Sequence, residues 1–200
     1  MPLTWYLDQE IQLARDVQED LFFCWRVKPT VIYGRHQLRE AEVNITYCEA
    51  HDIDIVQRKS GGGCVYADEG NLMVSLISPD THSEAVFARF LSRLAGVLQS
   101  LGLEAVTTAN NDILVGGKKV SGNACYALPN ATIVHGTLLY DVNMEALQHA
   151  ITPSDAKLHK HAVQSVRQRV TNIRNMLPDI RNIQELEQHI IVRWLTLKNE

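Results

Sequence analysis

The segment "NNDILVGGKKVSGNA", Asn110 to Ala124, sets a carboxylate, two lysines, a hydroxyl and three amides around a glycine pair. Read as a hairpin with Gly116-Gly117 as a two-residue turn, it puts Leu114 opposite Lys119, Asp112 opposite Ser121 and Asn110 opposite Asn123. Strand alternation then gathers Asn110, Asp112, Leu114, Lys119, Ser121 and Asn123 on one face, and Ile113, Val115, Val120 and Ala124 on the other. Lys119, not Lys118, belongs to the polar face. In an isolated hairpin such a face suits bulk water better than a ligand. Three neighbours favour a ligand: Ser121-Gly122 permits close approach to the backbone, a following strand brings His135-Gly136-Thr137 alongside, and a glycine-rich turn supplies a second surface.

That turn is "RKSGGGCVYADEGN", Arg58 to Asn71. Its glycines match neither GxGxxG nor GxxxxGK[ST], so no nucleotide motif is assigned. Each glycine costs roughly 0.5–1 kcal/mol in regular structure, and a third is easiest to understand where side chains must be absent beside a ligand. Arg58 offers a bidentate fork for phosphate or carboxylate. Cys64 lacks the base or cation that would generate a thiolate, and with Cys125 it reads as a small packed hydrophobe. His149, His159 and His161 have no carboxylate or cysteine at ligand spacing. Arg167 and Arg169 fit a solvated face and an anion contact equally.

The elements that must position these residues follow from periodicity. "DQEIQLARDVQEDLFFCWRV" begins as a helix and turns into a strand, "PTVIYGR" and "IDIVQRK" are strands, and "REAEVNITYCEAHD" is a helix with Ala41, Ile45 and Cys48 on one side. "NLMVSLIS" is a buried strand. "SEAVFARFLSRLAGVLQSLG" is a core-facing helix, its stripe running from Phe87 through Phe90, Leu91, Leu94, Val97 and Leu98 to Leu101, with Ser83 as N-cap and Gly102 as stop. Residues 105–142 suggest a three-stranded meander. From residue 143 onward helices dominate, at "MEALQHAI", "SVRQRVTNIRNML" and "NIQELEQHIIVRWLTL". Strands and helices that do not alternate regularly indicate α+β with a largely antiparallel sheet.

The 200 residues, 46% apolar and 21% charged, suit one globular domain. A net charge of -4 without a basic run excludes a global field for nucleic acid. Four cysteines without CxxC spacing, no signal-like N-terminus and no run of ~20 apolar residues point to a cytoplasmic, membrane-free protein.

"VIYGRHQ", "EVN", "RKSGGGCVYADEGNLMVS", "NDILVGGKKVSGNA", "HGTLL" and "SVRQRVTNI" stand in the order and spacing of lipoate-protein ligases, and from about Phe22 to Ile173 the chain resembles that family within the biotin/lipoate protein ligase superfamily. The resemblance implies a mixed, largely antiparallel sheet flanked by helices, like the catalytic domains of biotin protein ligases and class II aminoacyl-tRNA synthetases. It implies that residues 1–200 form a single catalytic domain without a C-terminal accessory domain. It implies activation of lipoic acid by ATP and Mg²⁺ to lipoyl-adenylate, then transfer to a lysine of an apo lipoyl domain, from a 2-oxoacid dehydrogenase E2 subunit or the glycine cleavage H protein. Lys119 would be catalytic, contacting the acyl carbonyl oxygen and the adenylate phosphate, whose growing negative charge a positioned cation stabilises. Arg58, Ser60, Gly61, Gly62, Gly63, Asn71, Asp112, Ser121, Gly122, His135, Gly136 and Thr137 would bind the ligands, with Asp112 also the Mg²⁺ ligand.

The chain departs from the family pattern at Gln57, where a basic residue is usual, and in the short stretch after Ile173. The second departure implies either a separate accessory chain for adenylation or transfer from a preformed adenylate. The nearest rival, an octanoyltransferase or amidotransferase working through a cysteine thioester, would carry that cysteine just before "NDILVGGKK", where this chain has "TTANND". A non-catalytic lipoyl-domain binder and a biotin ligase fit the retained Arg58, glycine triplet and "KKVSG" less well.

Overall fold

The computed structural model describes residues 2–151 and 170–197. Helix α1 (Leu3–Arg15) leads into β1 (Leu21–Trp25) and β2 (Thr30–Tyr33). Two short helices, α2 (Arg39–Glu42) and α3 (Ile45–Ala50), replace the single expected one, because Val43 at the end of α2 takes extended backbone and Asn44 restarts the helix by accepting the Tyr47 N–H. Strands β3 (Asp54–Gln57), β4 (Val65–Ala67) and β5 (Asn71–Ser78) follow, then α4 (Ser83–Ser100). Helix α4 begins at Ser83 with His82 as its cap residue, so the cap lies one residue earlier than expected, and it ends before Gly102 at φ +89°. The expected meander is four strands: β6 (Ala105–Thr107), β7 (Asp112–Val115), β8 (Lys118–Ala127) and β9 (Thr132–Leu139). Helix α5 (Met144–Ala150), a single 3-10 turn at Arg174–Met176 in place of the helix expected over "SVRQRVTNIRNML", whose residues 165–169 lie outside the described ones, and helix α6 (Ile183–Thr196) complete the described chain. His159, His161, Arg167 and Arg169 lie outside the described residues.

A six-stranded sheet, ordered β1-β5-β9-β8-β7-β6, is antiparallel throughout; a smaller sheet, β3-β2-β4, joins β2 and β3 in parallel and β2 and β4 antiparallel. The α+β expectation holds.

One face of the large sheet is the main core. Leu72, Val74 and Leu76 of β5, with Val134 and Leu138 of β9, pack on Phe90, Leu94 and Leu98 of α4 and on Ile190 and Trp194 of α6. The opposite face is covered by α1 and the small sheet, through clusters around Leu3, Trp25, Ile32 and Met73 and around Ala14, Ile77 and Ile133. Alternation along β5 serves both faces, which is why all eight of its residues are buried.

Candidate active site

Strand register draws a line across the covered face. Trp25 pairs with Met73, Met73 with Thr137, the Thr137 hydroxyl accepts the Gly122 N–H at 3.3 Å, and Gly122 pairs with Asp112. Directly paired residues share a face. The line is therefore bulky at Trp25 and Met73 and small at Thr137 and Gly122, and it leaves a groove. A cavity of about 250 Å³ lies there, lined at one end by Leu3, Leu7, Trp25, Ile32 and Met73 and at the other by Asn110, Asn111, Asp112 and Lys119. Gly62, Gly63, Cys64, His135, Gly136 and Thr137 also form its wall.

The polar end rests on the hairpin. Gly116 and Gly117 have φ +57° and +74°, the left-handed pair that a type I′ turn needs, so the expected turn is present. Leu114 faces Lys119 as expected. Beyond that pair the register shifts: Ile113 faces Ser121 and Asp112 faces Gly122, which makes Val120 an extra residue in β8. This β-bulge corrects the expected face, because one inserted residue reverses every side chain after it. Ser121 is fully buried opposite Ile113, and Asn123 is paired with Gly136. Gly122 and Ala124 take their places towards the cavity.

The bulge serves Lys119. A Cβ at position 122 would lie 2.8 Å from both Cε and Nζ of Lys119, so glycine lets the lysine lie across the strand, with Nζ 2.8 Å from Asp112 Oδ1. Lys119 and Asp112 also line a second cavity, of about 480 Å³, with Tyr66, Thr108, Leu139, Leu147 and Val170. The ammonium thus stands where the two cavities adjoin. Asn123 braces the adjacent loop by donating to the Asn111 carbonyl at 2.9 Å, and its amide occupies the space a Cβ at Gly136 would need.

The glycine turn is a backbone surface held from behind. Arg58, 7% exposed, donates to the carbonyls of Gly61 (2.8 Å), Gly63 (2.6 Å) and Ile32 (3.1 Å). It touches the cavity, but its hydrogen bonds fasten the turn. Gly62 has φ +92°, and its carbonyl lies where a Cβ at Gly34 would fall, so Gly34 and Gly62 pack backbone to backbone. A Cβ at Gly61 or Gly63 would meet no described atom within 4 Å. Burial pushes the Cys64 thiol up to about 12 and the Cys125 thiol up to about 11, so neither is a thiolate near neutrality.

Of the residues singled out in the sequence, Arg58, Gly62, Gly63, Asp112, Lys119, Gly122, His135, Gly136 and Thr137 line the cavity. Ser60 stands just behind it, with Oγ 2.7 Å from His135 Nε2. Gly61 takes part through the Arg58 clamp, and Asn71 is buried at the start of β5 with its amide donating to the Met73 sulfur. Sequence reasoning missed Glu10 and the apolar end. One signal was present: Leu3, Leu7, Glu10 and Ala14 recur at helical spacing, which sets a carboxylate on the buried stripe of α1.

Residues 2–194 match the lipoyl protein ligase A/B catalytic domain. The chain belongs to that family. It is 41% identical over 175 residues to lipoate–protein ligase 1 of Staphylococcus aureus, covering 87% of this chain and 53% of that protein. Over 177 residues it is 34% identical to lipoate-protein ligase LplJ of Bacillus subtilis, covering 88% and 54%. The chain spans about half the length of these curated relatives. Among solved structures, the bipartite lipoate protein ligase of Thermoplasma acidophilum, studied with its E2 lipoyl domain, superposes with a TM-score of 0.85 at 25% identity, covering all of this chain and 82% of that one. A lipoate-protein ligase A bound with ATP superposes at 0.78 and 26% identity, covering 94% and 77%.

Proposed function

We propose that this chain carries the acyl-activating and transfer site of a lipoate-protein ligase. The observation that carries the reading is the place of Lys119 Nζ, between a narrow cavity with an apolar far end and a second, wider cavity. An eight-carbon acid with its tail towards Trp25 and Met73 would bring its carboxylate to Lys119. ATP in the wider cavity would present its α-phosphate to the same ammonium. A carboxylate oxygen attacks the α-phosphorus and pyrophosphate leaves. The acceptor lysine's amine then attacks the acyl carbon, loses a proton, and AMP leaves. Negative charge grows in turn on a phosphoryl and an acyl oxygen, and one fixed cation serves both. Burial in the groove keeps water from the mixed anhydride.

Asp112 supplies one carboxylate at the junction, and no cluster of three or more potential ligands occurs among the described residues. One carboxylate suits Mg²⁺, which keeps its waters and reaches such sites with the phosphates. Asp112 would hold it there, and Mg²⁺ would offset phosphate charge. The solved relative studied with its E2 lipoyl domain supports an apo lipoyl domain as acceptor. Four free cysteines suit a cytoplasmic location, and no described helix is long and apolar enough to cross a membrane.

The test is to weigh an apo lipoyl domain after incubation with lipoate plus Mg-ATP, with lipoyl-adenylate alone, or with octanoyl carrier protein. Modification from lipoyl-adenylate that disappears in Lys119→Ala is expected; the lipoate plus Mg-ATP arm reports whether the chain also adenylates by itself. Modification from octanoyl carrier protein that depends on Cys64 or Cys125 would overturn the ligase reading.

A further inference from the structure

A chain of buried hydrogen bonds runs behind the cavity wall from Trp25, at its apolar end, to Ser60 before the glycine turn. Trp25 Nε1 lies 2.7 Å from Ser75 Oγ, Ser75 Oγ 2.5 Å from Glu10 Oε1, Glu10 Oε2 3.1 Å from His135 Nδ1, and His135 Nε2 2.7 Å from Ser60 Oγ. Trp25, Ser75, Glu10 and Ser60 are each at most 3% exposed. The indole can only donate, which makes Ser75 the donor to Glu10, and the two His135 bonds take their directions from the ring's tautomer. Trp25 donates to Ser75, and Ser75 donates to Glu10. With the proton on Nδ1, His135 donates to the other Glu10 oxygen and Nε2 accepts from the Ser60 hydroxyl. The neutral Nδ1–H tautomer uses every donor once.

Two consequences bear on the site. Both ring nitrogens of His135 are engaged within the protein, so the ring offers an apolar chain no free polar atom. Ser60 immediately precedes the glycine turn; its carbonyl accepts the Arg35 N–H at 3.0 Å, and its hydroxyl contact with His135 ties the turn to β9. The Ser60-His135-Glu10 order is also that of a nucleophile triad, but Ser60 is 1% exposed and does not line the cavity.

We propose that Glu10 is a positioning residue which, through His135, sets Ser60 and the glycine turn at the width that accepts the acyl chain. The proposal rests on the lipoate-ligase reading for its substrate. Glu10 acts on acyl binding, because Lys119 and Asp112 lie at the other end of the cavity.

Glu10→Ala strands the Ser75 and His135 donors; its KM for lipoate is expected to rise at least about tenfold, with kcat and the KM for ATP changed less than about threefold. Glu10→Gln can accept from Ser75 and donate to His135 Nδ1, moving the ring proton to Nε2. It should restore KM to within about threefold of the parent. Long-range ¹H–¹⁵N NMR should find the His135 proton on Nδ1 in the parent and on Nε2 in Glu10→Gln. A parent proton on Nε2, a fall in kcat at unchanged KM, or a Glu10→Gln as impaired as Glu10→Ala would each overturn the proposal. If Glu10→Ala does not fold, Ser60→Ala, which cuts the same tie at the turn, must raise KM for lipoate in the same way. If the parent lipoylates nothing from any donor, the ligase reading fails, and the NMR tautomer still decides whether Glu10 sets His135.

Discussion

The two faces of the six-stranded sheet come from the same strands and differ in what occupies their middle. On the core face, β5 and β9 contribute Leu72, Val74, Leu76, Val134 and Leu138, which fill the space under α4 and α6. On the other face the same strands contribute Met73, Ser75, His135 and Thr137, and β8 adds Gly122 and Ala124. Close packing is the ordinary state of a protein interior, so the small residues Thr137 and Gly122 between Met73 and Asp112 leave real volume. The comparison teaches that the groove follows from side-chain size along one row, and that the room for the lysine at its end follows from one bulge, which sets Gly122 beside it.

Four substitutions would break or sharpen this contrast. On the core face, Phe90→Ala removes a fully buried ring and should destabilise the fold by about 3–5 kcal/mol in urea melts, with the folded fraction keeping its KM for lipoate. On the groove face, Lys119→Ala should leave the melt within about 0.5 kcal/mol, since the side chain is 30% exposed, and should slow transfer by about 10²–10³-fold in single-turnover assays. Gly122→Ala puts a methyl 2.8 Å from the end of the flexible Lys119 chain, so the strand persists while the ammonium moves. Transfer should fall about 10–100-fold, and a crystal structure should show Lys119 displaced from Asp112. The smallest effect belongs to Cys64→Ser, expected within about twofold of the parent rate. With its thiol near 12, the parent Cys64 should also resist iodoacetamide at pH 8, as read by peptide mass, and rapid alkylation would contradict its burial.

Much of this arrangement was legible beforehand, for identifiable reasons. Gly116-Gly117 announced the hairpin because two left-handed residues in succession are nearly a glycine property. The stripe from Phe87 to Leu101 announced α4 because burial on one side of a helix recurs every turn. Lys119 was separated from Lys118 correctly, since both lie before the bulge. Ser121, Asn123 and Ala124 were assigned to the wrong faces, since they lie after it. Glu10 carried its signal in the spacing of α1, but a carboxylate on a buried stripe has meaning only once Ser75 and His135 are seen to meet it.

The amino-acid sequence by itself determined what local chemistry can specify: the glycine pair, the clampable glycine turn, the amphipathic helices and the identity of the cation. The tertiary structure decided which side chains face one another. Facing depends on register, which a single extra residue reverses, and on pairings between strands up to sixty residues or so apart, such as Trp25 with Met73 and Met73 with Thr137. Those pairings form where burial of the whole sheet is most favourable, and no short stretch of chain contains that information.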